Sequence, residues 1–256
     1  MEMKVDSSGR THTGKVRPHN EDSFLVQPDL GLFVVCDGLG GHSKGEVASE
    51  TAVGIIAQRI RMGESLENAV LAAHEAVRAL PVSEEEGPRP GSTVAVLQLC
   101  GEAWTVCWVG DSRVWLIGPK GIRQLTVDHT AAQQLVNWGE ITPEEAATHP
   151  HRSRLTQALG LGEAPPEVGR TQGKISGDTY FLLASDGMTH WDKPQELEKV
   201  VRSSGDCDAI TDRLLSDSLE QAGHDNITVV CVRAQGEPES LLDKARGVVD
   251  FIRSRV

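Results

Sequence analysis

Residues 92–118, "STVAVLQLCGEAWTVCWVGDSRVWLIG", indicate the fold class of this protein. It contains three β-rich segments, which are joined by the two-residue links Gly101-Glu102 and Asp111-Ser112. Links of this length favour antiparallel hairpins. The stretch therefore predicts antiparallel sheet at the centre of the chain.

The rest of the chain arranges strands and helices in blocks. Further β-rich segments are "SFLVQ" (23–27), "GLFVVCD" (31–37), "TYFLLAS" (179–185) and "NITVVCVR" (226–233). Apolar residues recur at helical spacing in residues 43–62, 65–80, 194–203 and 206–222. Ser43 is the predicted N-cap of the first helix. This order favours one antiparallel α+β domain over βαβ alternation.

Residues 129–153, "HTAAQQLVNWGEITPEEAATHPHRS", interrupt the strand pattern. Two short helical pieces are predicted there, and Thr142-Pro143 gives the second a cap and a first-turn proline. A long insertion at this point predicts a lid or substrate-recognition flap. The charged, Pro/Gly-rich segment 83–91 is expected to form a loop.

The composition limits the classes of function. The 256 residues include 37 acidic and 25 basic side chains, for a net charge of −12, and 39% are hydrophobic. A chain this acidic is not expected to bind nucleic acid, because phosphate contacts need a basic surface. Its apolar content supports a substantial core without cross-links.

Metal-binding cysteines and targeting segments are not expected either. The five cysteines form no Cys-x2-Cys pair and the nine histidines no His-x3-His pair, which argues against structural zinc. The first residues, "MEMKVDSSGR", lack an apolar signal core, and no stretch approaches about 18 apolar residues. We therefore expect a cytoplasmic protein without a membrane span.

Acidic residues stand at the ends of predicted strands. Asp37 and Asp186 end apolar runs, Asp111 follows "WTVCWVG", and Asp225 precedes "NITVVCV". Each one alone is accounted for by the preference of aspartate for turns. Brought together with "NED" (20–22), they would repel one another unless a divalent cation lay among them. Ligands that are all oxygen favour magnesium or manganese.

The heptapeptide "CWVGDSR", 107–113, allows other readings. Cys107 and Arg113 have the spacing of a thiol phosphatase, but Cys107 lies inside an apolar strand and Asp111 would oppose a bound phosphate. Gly-Asp-Ser resembles a serine esterase motif, in which Ser112 would be the nucleophile. Its Asp-x-x-His partner is missing, because Asp186 and His190 are one residue too far apart. A simple hairpin turn is the remaining alternative.

Seven motifs occur together in one order along the chain. They are "VRPHNEDSF", "VVCDGLGGH", "GSTVAVL", "WVGDSRVWL", "LTVDHT", "LASDGMTHW" and "DNITVVCV". In order and spacing they resemble the metal-dependent type 2C protein phosphatases, particularly the bacterial branch, from about residue 9 to 234. Each motif alone is weak, but the seven in order are highly specific.

The resemblance implies a fold and an activity. The fold would be a four-layer αββα sandwich of two antiparallel sheets flanked by helix pairs. The activity would be hydrolysis of phosphoserine and phosphothreonine in proteins by a metal-bound hydroxide at a binuclear centre, reversing a bacterial Ser/Thr kinase. Two divalent ions, Mn2+ or Mg2+, are implied, with a third that binds more weakly.

The resemblance also implies a set of metal ligands. Asp37 would bridge the two ions, and the carbonyl group of Gly38 would bind one of them. Asp186 and Asp225 would hold the first ion, and Glu21 would serve the second. The glycines of "GLGGHSKGE" (38–46) would allow the backbone to approach the metal closely at the start of a helix.

Further roles follow from the same resemblance. Asp22 would orient metal-bound water, Arg17 would grip the substrate phosphate, and Asp111 would bind the third ion. The acid that protonates the leaving group stays open between metal-bound water and His42, because Leu39 occupies the position of a histidine found in many eukaryotic members.

The resemblance divides the chain into a catalytic domain, 1–236, and a C-terminal segment, 237–256. The segment has one apolar helical face, which predicts a helix docked on the domain. A partner or membrane surface is the alternative. The expected partners are phosphorylated proteins and a cognate kinase, and the expected state is a monomer. A pseudophosphatase is the non-enzymatic alternative, but Arg17 and the predicted ligands are all present.

Overall fold

The computed structural model describes residues 4–40, 44–82, 89–188, 193–221 and 223–236. Its strands are β1 (Lys4–His12), β2 (Asp22–Gln27), β3 (Leu32–Leu39), β4 (Gly91–Ser92), β5 (Val94–Cys100), β6 (Ala103–Val109), β7 (Arg113–Gly118), β8 (Gly121–Gln124), β9 (Gly169–Lys174), β10 (Asp178–Ala184) and β11 (Ile227–Gln235). Its helices are α1 (Lys44–Arg61), α2 (Leu66–Arg78), α3 (Ala131–Asn137), α4 (Pro143–Thr148), α5 (Pro194–Ser203) and α6 (Cys207–Gln221).

Two antiparallel sheets form the centre of the molecule. The first sheet has the strand order β1-β11-β10-β7-β8, and the second sheet has the order β2-β3-β5-β6-β9, with β4 beside β3. Helices α1 and α2 pack on the outer face of the second sheet, and α5 and α6 pack on the outer face of the first. The predicted four-layer α+β sandwich is confirmed.

Three layers of apolar side chains hold the four layers together. Because successive side chains of a strand point to opposite faces, β3 sends Val34 and Cys36 towards α1 and α2. Its residues Phe33 and Val35 point instead into the layer between the sheets. Full burial of each large side chain stabilises the fold by about 1.5–3 kcal/mol. Strands buried on both faces are therefore the continuous apolar runs of the sequence.

The two short links of residues 92–118 behave differently. Gly101-Glu102 joins a hairpin as predicted, with Cys100 opposite Ala103 and Gly101 at φ 56°. The hairpin prediction for Asp111-Ser112 is wrong, because β6 belongs to the second sheet and β7 to the first. The chain crosses between the sheets here after Gly110, at φ 100°. A side chain at Gly110 would overlap Thr93.

Three strands that the sequence pattern does not reveal, β1, β8 and β9, all lie at sheet edges. An edge strand is half-exposed, so its sequence is polar. Strand β9, "GRTQGK", also contains two glycines that make room for aromatic rings. A Cβ atom at Gly169 would overlap Trp108, and one at Gly173 would overlap Trp104. Glycine is therefore a packing residue in this strand.

The flap, residues 129–153, contains the two predicted short helices, α3 and α4. Thr130 caps α3, and Thr142 forms a capping box with Glu145 at the start of α4. The predicted N-cap Ser43, most of the loop 83–91 and the segment 237–256 lie outside the described residues. In the described ranges, no helix is both long and apolar enough to cross a membrane.

Candidate active site

The acidic residues predicted from the sequence lie at one end of the sandwich, and both sheets contribute to them. Asp22 begins β2 and stands opposite Asp37 of β3 in the second sheet. Asp186 follows β10 and Asp225 precedes β11 in the first sheet. Asp111 lies on the link that crosses between the sheets. The crossing between the sheets, which the hairpin prediction missed, thus places Asp111 near the other acidic residues.

Backbone and hydroxyl contacts fix Asp37. Its backbone N–H donates to Thr93 Oγ1 at 2.9 Å, and its carbonyl accepts from the N–H of Thr93 at 2.8 Å. Thr93 Oγ1 also lies 2.7 Å from Ser112 Oγ, so the strand end and the crossing link are tied together. Burial, followed by the negative charge of Asp22, raises the pKa of Asp37 well above its ordinary value.

Asp22 is a buried acid that is only half satisfied. Its Oδ2 accepts a hydrogen bond of 2.7 Å from Ser185 Oγ, which in turn accepts from the backbone N–H of Thr228. Its Oδ1 is buried and has no hydrogen-bond partner among the described residues. Burial is the main reason that the pKa of Asp22 rises to about 7.

Glu21 lies in a narrow space between two glycines. A Cβ atom at Gly45 would come within 2.9 Å of Glu21 Oε1, and one at Gly38 would overlap the carbonyl oxygen of Gly45. Glu21 Oε1 is buried and has no hydrogen-bond partner in the described part of the chain. Only glycines allow the start of α1 to approach Gly38 and Glu21 this closely.

The other acids border a cleft of about 750 Å3, the acidic cleft, which reaches from Asp111, Asp186 and Asp225 to the flap. Asp111 is 7% exposed, and burial raises its pKa to about 7. Asp186 keeps contact with solvent, yet the surrounding atoms remove enough water to raise its pKa to about 6, with Asp225 adding repulsion. The cleft is therefore lined by several acidic side chains, and it is open to a substrate.

Arg17 is the cation within this group. Its guanidinium Nη2 lies 2.7 Å from Asp225 Oδ2, and both side chains are about half-exposed. The hydrogen bond to Asp225 raises the pKa of Arg17, with smaller contributions from Glu21 and Asp37. A half-exposed guanidinium beside the acidic cleft suits contact with an anionic ligand.

The donor set fits hard divalent cations. Burial, and after it the charges of Asp186 and Asp225, raises the pKa of Asp22, and buried carboxylate oxygens on Glu21 and Asp22 lack partners among the described residues. Carboxylate oxygens are the ligands that magnesium and manganese prefer. No three acidic, histidine or cysteine side chains of the described ranges yet converge on one point. Ligation through Asp225 Oδ2 would require Arg17 to release that oxygen.

Asn226 is a site residue that the sequence analysis missed. Its Oδ1 accepts from the N–H of Glu21 at 2.8 Å, and its Nδ2 donates to the carbonyls of Thr13 and His19, each at 2.9 Å. One buried amide thus fixes the segment 13–21, which carries Arg17 and Glu21. Its position directly after Asp225, in "DNITVV", is the only signal that the sequence contains.

A partly buried ion pair on the cleft wall was also missed. Arg113 binds both carboxylate oxygens of Asp128, with the closest contact at 2.6 Å, and the side chains are 18% and 11% exposed. The pair links the start of β7 to the segment that leads into the flap. His42, the alternative proton donor, lies outside the described residues.

We expect the metal-free protein to be less stable at pH 8 than at pH 6. Asp22 and Asp111 have folded-state pKa values of about 7, above the unfolded value of 3.8. Folding therefore favours their protonated forms, and the stability is lost as the pH rises through 7. The loss is roughly 1.4 kcal/mol per carboxyl between pH 6 and 8. Thermal unfolding in EDTA measures it, and Asp22→Asn should reduce the dependence. Equal stability at both pH values would contradict this explanation.

Comparison with known proteins agrees with the fold. The sequence model of the protein phosphatase 2C family matches residues 7–135. Protein phosphatase PhpP of Streptococcus pneumoniae is 32% identical to this chain, over 89% of this chain and 96% of that protein. The crystal structure of the serine/threonine phosphatase PstP/Ppp of Mycobacterium tuberculosis superimposes with a TM-score of 0.81 at 30% identity, over 91% of this chain and 99% of the other.

A second solved structure holds metal ions. It is the catalytic domain of serine/threonine protein phosphatase PstP in complex with two manganese ions, and it matches 91% of this chain and 100% of its own with a TM-score of 0.79 at 28% identity. The two-sheet sandwich and its acidic end thus define a phosphatase catalytic domain. The chain belongs to the protein phosphatase 2C family. It is a protein serine/threonine phosphatase of the bacterial type.

Proposed function

We propose that this phosphatase hydrolyses phosphoserine and phosphothreonine of proteins at a centre of two divalent cations, and that it opposes a bacterial Ser/Thr kinase as a monomer. The observation that carries the proposal is the set of carboxylates at one end of the sandwich, two of which have buried oxygens without a partner among the described residues. The PstP domain that binds two manganese ions supports the number of ions. Magnesium as the alternative ion and a third ion at Asp111 belong to the same proposal.

Each residue of the proposed site has a separate role. Asp37, Asp186, Asp225, Glu21 and the Gly38 carbonyl would hold the ions. When bound, the ions would supply an activated water and offset the negative charge of the phosphoryl oxygens. Arg17 would leave Asp225 and bind two phosphate oxygens with its planar guanidinium. Asp22 would orient the attacking water through Oδ1, while Ser185 holds Oδ2 in place.

Neither Cys107 nor Ser112 of the heptapeptide 107–113 is available as a nucleophile. Cys107 is fully buried, and burial raises the pKa of its thiol to about 12. Ser112 is 1% exposed, and its hydroxyl is hydrogen-bonded to Thr93. Arg113 is bound to Asp128 and does not face a phosphate at Cys107. These contacts oppose both the thiol and the serine esterase hypotheses.

A direct test of the proposal compares substrates and metals. Phosphoserine and phosphothreonine peptides are assayed beside a phosphotyrosine peptide, with manganese, magnesium or EDTA. We expect hydrolysis of the first two with either ion and none in EDTA. Activity that persists in EDTA, or that prefers phosphotyrosine, would refute the proposed chemistry.

We expect Cys107→Ala and Ser112→Ala to keep most of the activity, whereas Asp111→Asn should raise the manganese concentration needed for half-maximal activity. The reason is that an amide replaces an anionic oxygen at the weakest ion, while the predicted ligands of the tighter ions stay intact. A manganese titration of all three variants beside wild type measures the effect. A folded but inactive Cys107→Ala or Ser112→Ala protein would instead support the hypothesis of a side-chain nucleophile.

Arg17→Ala is expected to raise KM for phosphopeptides by about 10-fold, with a smaller change in kcat, because the side chain binds phosphate and does not enter the chemistry. Inhibition by inorganic phosphate should weaken in parallel. Arg17→Lys, which keeps the charge without the planar fork, should fall between wild type and Arg17→Ala. Unchanged KM and unchanged phosphate inhibition in Arg17→Ala would remove this residue from the phosphate site.

A further inference from the structure

His74 is a buried histidine of helix α2 that has no part in the proposed chemistry. Its two ring nitrogens have different surroundings. Nδ1 accepts a hydrogen bond of 3.1 Å from the backbone N–H of Gly160. Nε2 is buried and has no hydrogen-bond partner among the described residues, and Glu75 Oε1 lies 3.8 Å from it, beyond the length of a hydrogen bond.

These contacts fix the state of the His74 ring. Because Nδ1 accepts, the proton of the neutral imidazole lies on Nε2. Burial lowers the pKa of His74 below its ordinary value of 6.5, and the opposing effect of Glu75 is smaller, so the ring is neutral at pH 7. A buried donor without a partner is costly, and an apolar side chain would avoid that cost. Packing therefore does not explain a histidine here, whereas the acceptor at Nδ1 does.

Gly160, the partner of His74, belongs to the return segment, residues 154–160, which leads the chain out of the flap. At its beginning, the N–H of Thr156 donates to the carbonyl of His129, at the entrance to the flap, at 2.8 Å. At its end, Gly160 has a φ of 78°, and a Cβ atom there would overlap Val77 of α2. The return segment thus joins the base of the flap to helix α2.

The return segment also supports two predicted metal ligands. Leu159 exchanges two backbone hydrogen bonds with Ser92, of 2.8 and 3.1 Å. Ser92 stands opposite Gly38 where β4 pairs with β3, and its Oγ lies 3.2 Å from the carbonyl oxygen of Asp37. A continuous path of contacts therefore runs from His74 to Asp37 and Gly38.

We propose that His74 is a positioning residue of the phosphatase, whose Nδ1 holds the return segment where Ser92 supports Asp37 and Gly38. The inference rests on the proposed metal centre, because Asp37 and Gly38 are its predicted ligands. His74 touches neither substrate nor metal and acts through the backbone alone. Because the return segment also closes the base of the flap, His74 ties the flap to the metal centre.

The test compares His74→Leu, which removes the acceptor, with His74→Asn, whose carbonyl oxygen takes the place of Nδ1. In the metal-free protein, His74→Leu should speed exchange of the Gly160 and Leu159 amide hydrogens by about 10-fold or more, because local opening becomes easier. Residues that orient metal ligands typically contribute about 10- to 100-fold to metal affinity, and His74 acts from farther away, so calorimetry should show manganese binding weakened about 5-fold. His74→Asn should recover at least half of both losses.

Kinetics separate this role from substrate binding. At saturating manganese, His74→Leu should lower kcat by about 3-fold or more and change KM for phosphopeptides by less than about 2-fold. The reason is that Arg17 lies on the segment 13–21, which Asn226 fixes and which does not depend on the return segment. Equal changes in KM and kcat would contradict the proposed path to Asp37 and Gly38.

Leu66→Ala is the matched control, since Leu66 is a buried residue of the same helix about 12 Å from His74 along the axis. It should lower thermal stability but keep manganese affinity and kcat within about 2-fold of wild type. If His74→Leu does not fold, His74→Gln, whose acceptor lies farther from the backbone, takes its place.

The outcomes distinguish this inference from the proposed function. Wild type that binds no manganese would refute the metal centre and the role of His74 with it. Wild type that binds manganese, together with equally tight binding by His74→Leu, would overturn the role of His74 alone. A loss that His74→Asn does not recover, or that Leu66→Ala reproduces, would assign the effect to packing and would also overturn the proposal.

Discussion

Asp37→Asn is expected to lower phosphatase turnover by about 100-fold or more while the protein stays folded. Burial raises the pKa of Asp37 most, and every other aspartate of the group raises it further, among them Asp22, Asp186 and Asp111, so Asp37 lies amid the negative charge. An amide of the same shape would keep its backbone contacts to Thr93 but lose the charge that is proposed to bridge the two ions. Metal catalysis supplies several kcal/mol, and about 1.4 kcal/mol corresponds to a factor of ten.

Stability separates this effect from misfolding. The metal-free Asp37→Asn protein should unfold at a temperature equal to or above that of wild type at pH 8, because one repelling buried carboxylate is gone. Asp178→Asn, a strand aspartate paired with Arg233 away from the site, is the matched control and should keep full turnover. A folded Asp37→Asn enzyme with near-normal turnover would eliminate the binuclear proposal.

Asn226→Ala is expected to lower kcat/KM by about 10- to 100-fold and to weaken manganese binding. The substitution removes three hydrogen bonds that fix the segment 13–21, and each is worth about 0.5–1.5 kcal/mol. Arg17 and Glu21 would then sample several positions. A displacement of about 1 Å can cost 100-fold in rate.

The loss in Asn226→Ala should be shared between KM and kcat, because the loosened segment carries both the arginine proposed to bind phosphate and a predicted metal ligand. Manganese affinity, measured by calorimetry, gives a readout apart from turnover. Asn137→Ala, in the flap, is the control and should change neither quantity. Normal manganese affinity in Asn226→Ala would show that the backbone alone positions Glu21.

The central strands were predictable because each is buried on both faces, so its sequence is a continuous apolar run. Three edge strands, β1, β8 and β9, were not, since they are partly exposed and polar, and in β9 Gly169 and Gly173 make room for aromatic rings of the neighbouring strand. The crossing at Asp111-Ser112 was also unpredictable. A two-residue link is compatible with a hairpin, and only long-range pairing with β10 assigns β7 to the other sheet.

The positions of the acids could be predicted because a carboxylate at the end of a buried strand is costly without compensation. The positions of the residues that support these acids could not be predicted. Asn226 and the Arg113–Asp128 pair act through contacts between residues far apart in sequence or on different elements, and an asparagine or an arginine at a strand end carries no distinctive local pattern. The sequence therefore predicts the acidic residues of the site more clearly than it predicts the residues that position them.

The pairing of β1 with β11 has a consequence for synthesis of the protein. Residue 4 lies opposite residue 235, and Asn226 at the head of β11 fastens the segment 13–21. At about 5–20 residues per second, a ribosome needs roughly 10–45 seconds between making the two strands. Throughout that interval, the contacts that fix Arg17 and Glu21 have not yet formed. A nascent chain that has not yet reached β11 thus carries Asp37 without phosphatase activity, and we expect the enzyme to work only after β11 has been made.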